Sequence, residues 1–101
     1  MNLTNPTAML AERACILTGI QRELVFSPDR GGRVPLIRFA AWHIARKGGW
    51  TLHELAAVFR RDHGSVMHGL KVAEDLLETD QWFQQLVRQL LQELENSKIK
   101  I

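Results

Sequence analysis

Apolar side chains recur along this chain at helical spacing, and only short polar stretches interrupt them. Leu52, Leu55, Ala56 and Phe59 fall at i, i+3, i+4 and i+7, and Val66, Leu70, Ala73 and Leu77 form a second stripe. Between Val34 and Lys47, the residues Val34, Ile37, Ala41 and Ile44 share one face, with Arg38, Trp42 and Arg46 on another. Trp82, Phe83, Leu86, Leu90 and Leu94 give a last stripe. Apolar/polar alternation is never sustained and tyrosine is absent, so the expected fold is all-α.

Start and stop signals divide the pattern into about six helices. Pro6 suits a first helical position and Thr18-Gly19 a stop, giving a helix from about Pro6 to Leu17. The short segment IQRELVF follows, and SPDRGGR then breaks the pattern with proline, two glycines and two arginines. A helix from about Val34 to Lys47 ends at Gly48-Gly49. Thr51 and Glu54 stand in capping-box spacing ahead of a short helix, and Asp62 can cap a longer one that runs to about Thr79. Gln81 to about Asn96 completes the set, and the terminal SKIKI reads as frayed. With 101 residues the chain supports one domain, 1–101, with a core over about 6–95.

Composition narrows the class. Hydrophobic residues at 46% and charged residues at 24% are ordinary for a globular protein, and no apolar run reaches membrane-spanning length. The N-terminal residues lack the basic and apolar regions of a signal peptide, so the expected location is the cytoplasm. Cys15 is the single cysteine, which excludes an intrachain disulfide and a cysteine-based zinc cluster. Charge is uneven along the chain. From Pro28 to Arg61 seven Lys/Arg face Asp29 and Glu54, a local +5, whereas from Asp62 onward four Lys/Arg face seven Asp/Glu, a local −3. An anionic partner would dock on the middle third.

The stretch FRRDHGSVMHGLK then acquires a meaning. Only Arg60, Arg61 and Asp62 connect the short helix to the longer one, which is the length of a helix-turn-helix. In such a unit the second helix enters the DNA major groove and its N-terminal residues touch base edges. His63, Gly64 and Ser65 occupy that first turn, where short or planar side chains let the helix end press against base pairs. Free N–H groups at the helix start favour phosphate nearby.

These residues resemble the C-terminal DNA-binding domain of the bacterial replication initiator DnaA, a Trp repressor-like helical fold. That family's signature is Arg-Asp-His-Thr-Thr-Val followed shortly by His. Arg61, Asp62, His63, Val66 and His68 stand as it requires, with Ser65 in place of the second threonine. The resemblance runs from roughly Pro6 to Glu95. It implies that Arg30 enters the minor groove, that Arg38 and Arg46 contact phosphates, and that Thr51, Leu52 and His53 meet the backbone. It also implies that Asp62, His63, Gly64 and Ser65 read bases; Arg33, Arg61, His68 and Lys71 complete the expected interface. Gly64 replaces a threonine, Arg60 stands where the family has a glycine pair, and the basic loop is sparser. The family's ATPase module is not expected in this chain.

Other readings of the same residues are weaker. Asp62, His63 and Ser65 have the residue types of a hydrolase triad, but neighbours on a helix project about 100° apart and do not converge. His63 and His68 lie about 140° apart on a helix, which disfavours joint metal ligation. His68 reads equally well as a surface histidine, and His43 as structural or solvent-facing. Trp42 either stacks on Arg38 or is buried. The expectation is a monomeric, non-enzymatic module for double-stranded DNA at the nucleoid. It needs no cofactor, metal, membrane or small-molecule substrate. The alternative is a helical protein-interaction module that kept the fold and lost specific DNA binding.

Overall fold

The structure is a computed structural model that describes residues 4–97; of the segment 97–101 expected to fray, Ser97 is the last residue of a helix and the other four lie outside the described residues. Six helices are present among them and no strands: α1 (Thr7–Thr18), α2 (Arg22–Val25), α3 (Val34–Lys47), α4 (Leu52–Val58), α5 (His63–Thr79) and α6 (Gln81–Ser97).

Local chemistry accounts for most boundaries. The α1 start is fixed by Asn5, whose Oδ1 accepts from the Thr7 N–H at 3.0 Å and from its hydroxyl at 2.7 Å. The Asn5 side-chain amide donates in turn to the Glu54 carbonyl at 2.9 Å, joining α1 to α4. Gly19 closes α1 at φ 77°, a left-handed turn that a side chain disfavours. The Thr51–Glu54 capping box forms in both directions, at 2.8 and 3.1 Å. Asp62 caps α5 by accepting from the Ser65 N–H at 2.7 Å.

α3 is the central element, in contact with α1, α2, α4, α5 and α6. That position corrects the expected two-faced α3. Arg38, placed on a face away from the apolar stripe, is 3% exposed because helices cover that side as well, and Trp42 is 1% exposed, in line with the burial reading given for it. The Trp42 indole N–H donates to the Leu55 carbonyl at 3.0 Å, so its one polar atom is satisfied inside the core. Burying a side chain such as Phe83, Leu10, Ile37 or Leu90 contributes about 1.5–3 kcal/mol each before entropy is counted. α5 lies close on α3 at Gly69, where an added Cβ would stand 2.7 Å from the rings of Phe39 and Trp42. The first turn of α5 is thereby held beside the loop between α2 and α3.

Candidate nucleic-acid interface

Arg38 organises the loop. Its Nε donates to the Val25 carbonyl at 2.8 Å, and Nη2 to the carbonyls of Leu24, Ser27 and Asp29 at 3.1, 2.7 and 2.7 Å. Arg61 Nη2 reaches the same Ser27 carbonyl at 3.5 Å, so the α4–α5 turn is tied to the loop through a shared acceptor. Asp29 Oδ1 accepts from the Gly31 N–H at 2.8 Å and Gly32 takes φ 52°, which turns the chain and leaves Arg30 exposed at the tip. Arg38, expected to contact phosphate, is found buried. The side chain is a buried post for the loop that carries Arg30, because four carbonyls claim two of its nitrogens. Burial, reinforced by the nearby Arg61 and Arg30, pushes its pKa down to about 10, while Asp29 opposes the shift.

Across from Arg30, the start of α5 is open. His63 and Gly64 are exposed, and among the described residues their backbone N–H groups have no hydrogen-bond acceptor. The Asp62 carboxyl lies below its usual range, chiefly because it accepts from Ser65, with His63 and Arg61 contributing charge. Arg30, Arg61, Asp62, Gly64, Ser65 and His68 line one recess of about 530 Å³, whose inner wall is Pro35, Arg38, Phe39 and Trp42. His68 is exposed and sets its ring edge against Phe39, centroids 6.2 Å apart.

The second helix start lies alongside. His53 on α4 meets His63 on α5 edge to face at 5.8 Å, which places Thr51, Leu52 and His53 next to the α5 first turn. Thr51 and His53 are exposed, whereas Leu52 packs partly on the core. Arg46, near the α3 end, donates to the Trp50 carbonyl at 2.9 Å, and Lys71 is exposed two turns along α5. Arg33 stands apart from this group in one respect: its guanidinium covers the Trp82 ring of α6 at 4.4 Å. The described residues hold no group of three or more His, Cys, Asp or Glu able to bind a metal.

The chain is 30% identical over 76 residues to the chromosomal replication initiator protein DnaA of Pseudothermotoga lettingae. Over that stretch it is DnaA-like. The match covers 74% of this chain but 17% of the DnaA protein, so the chain spans under one fifth of that relative's length. No protein-family model and no solved structure matches the chain.

Two features of the site escaped sequence reasoning. Arg60, at the position where DnaA proteins are expected to carry glycine, has φ 54° and is the one non-glycine with positive φ among the described residues. Its place in a tight turn was the available signal. The aromatic wall of Phe39 and Trp42 is the other, and it had no local signal because it forms only where α5 crosses α3.

Proposed function

We propose that this chain is a duplex-DNA-binding domain of the kind found at the C-terminus of DnaA, acting in replication initiation or its regulation. The α4–α5 helix-turn-helix lays the first turn of α5 in the major groove. The loop of residues 28–33 carries Arg30 into the adjacent minor groove. His63 and Ser65 offer hydrogen bonds to base edges, and Arg46, Arg61 and Lys71 meet phosphates. The domain acts as a monomer and without enzymatic activity. The observation that carries the reading is the pairing of an exposed helix start, bearing free N–H groups, with Arg30 and Arg61 across one recess.

The test is the affinity for duplex DNA as a function of salt. With roughly five basic side chains near the backbone, log K against log salt is expected to slope at about −3 to −5. A slope near zero removes the DNA reading and leaves the protein-interaction alternative.

A further inference from the structure

We propose that Trp82, on a helix outside the candidate interface, is a positioning residue for the loop that carries Arg30: it holds Arg33 over its ring and so fixes the far end of that loop. The proposal rests on the DNA-binding reading and adds to it a residue of α6. Arg33 closes the loop of residues 28–33 and is the N-cap residue of α3. It is poorly suited to capping. Its side chain makes no capping hydrogen bond, and the first turn of α3 holds no acidic residue. A cation at a helix start also opposes the helix dipole, where Ser, Thr, Asp or Asn is preferred. α4 and α5, by contrast, are capped by the side chains of Thr51 and Asp62.

The Arg33 side chain lies instead over the Trp82 indole, its guanidinium carbon 4.4 Å from the ring centroid. Trp82 gives it a firm seat. The ring is half-buried and packs on the core, and its turn of α6 is fixed by Asp80, whose Oδ1 accepts from the Phe83 N–H at 2.8 Å. The other end of the loop has its own anchor, since Arg38 Nη2 donates to the Ser27 and Asp29 carbonyls. Between the two anchors stand Arg30, Gly31 and Gly32. Gly31 accepts from the Val34 N–H at 3.1 Å and donates to Asp29 Oδ1 at 2.8 Å, and Gly32 takes φ 52°. Adjacent glycines have wide conformational freedom, so the direction of Arg30 depends on both ends being held. A cation–π contact is strongest with tryptophan and weaker, but present, with phenylalanine.

The experiment compares wild type with Trp82→Leu, which keeps an apolar side chain on the core without an aromatic face, and Trp82→Phe, which restores a face. Thermal melts check that each variant folds. In the free protein, NMR relaxation of the Arg30, Gly31 and Gly32 amides reads the order of the loop. Affinity is then measured for a duplex obtained by binding-site selection on wild type and for random duplex. Trp82→Leu is expected to loosen these amides and to lower the ratio of selected to random affinity about two- to fivefold, with Trp82→Phe recovering most of the loss. Arg33→Gln is expected to loosen the same amides, and it carries the loop measurement should Trp82→Leu melt early. In the Arg33→Gln background, Trp82→Leu is expected to add nothing, because the contact is already absent. Unchanged loop order or an unchanged affinity ratio in Trp82→Leu overturns the proposal, as do an equal loss on both duplexes and a failure of Trp82→Phe to rescue. Because relaxation is measured without DNA, the two readings fail separately. A loop that loosens in a protein with no salt-dependent duplex binding removes the DNA reading and leaves the Arg33–Trp82 clamp standing, whereas an unchanged loop in a protein that binds duplex removes this proposal alone.

Discussion

Arg60 shows how a single residue can oppose the fold around it. Its φ of 54° puts a Cβ-bearing residue in the left-handed region, at a cost of about 1–2 kcal/mol. Replacing it with glycine relieves that strain but adds about 0.5–1 kcal/mol of unfolded-chain entropy. Arg60→Gly is therefore expected to stabilise the domain by about 0.5–1 kcal/mol, a rise of a few degrees in Tm by thermal melting. The same variant removes an exposed cation beside Arg61 and is expected to weaken DNA binding modestly. His63 has the opposite profile. It is exposed in the first turn and contributes little packing, so His63→Ala should melt near the wild-type temperature. In a binding-site selection it is expected to lose about 1–3 kcal/mol of discrimination at one or two base pairs. Unchanged site preference would show that this turn does not read DNA. The residues that sequence placed well, Asp62 and the Thr51–Glu54 box, act within three positions of themselves. The burial of Arg38 was not legible because its partners lie 9 to 14 residues away.

At the level of helices, periodicity was reliable where a helix has one covered face and failed where it has several. α4, α5 and α6 lie at the outside of the bundle and their stripes face inward as the pattern implies. α3 is covered on nearly every side, so its second face carries a buried arginine and a buried tryptophan, with Arg46 near its end exposed. The α5 stripe was also incomplete, since Gly69 is buried within it and permits the close crossing with α3. Two glycines of α5 therefore make opposite predictions. A Cβ at Gly69 would press on the rings of Phe39 and Trp42 at 2.7 Å, and ring atoms deep in a core cannot yield cheaply. Gly69→Ala is expected to destabilise by about 1–3 kcal/mol despite alanine's better helix propensity. A Cβ at Gly64 would meet only the Asp62 carboxylate at 3.5 Å, an ordinary contact. Gly64→Thr is expected to be neutral or stabilising by a few tenths of a kcal/mol, and to add preference for a thymine through methyl contact. Denaturant melts of the two variants with a site selection on the second check both signs.

Across the whole molecule, charge changes sign along α5 itself. His63, Met67 and Lys71 lead on the exposed side, but Glu74, Asp75 and Glu78 follow, all exposed. A helix lying along the groove over its full length would bring those three carboxylates toward phosphates. One entering by its first turns keeps them away, and the recess with Arg30 and Arg61 sits at that end. On the proposed DNA-binding reading, the acidic half opposes alternative dockings and so non-specific binding, while a correctly seated helix is little affected. Neutralising it with Glu74→Gln, Asp75→Gln and Glu78→Gln together removes three negative charges from a chain whose net charge is +2. All three positions are exposed, so the fold is expected to survive. Affinity for random duplex is expected to rise several-fold at low salt, with little change at the preferred site, so that the specificity ratio falls. Titrations of both duplexes at two salt concentrations check this. An equal gain on preferred and random DNA would mean that these carboxylates lie near phosphate in the specific complex too, and that α5 docks along its length rather than by its end.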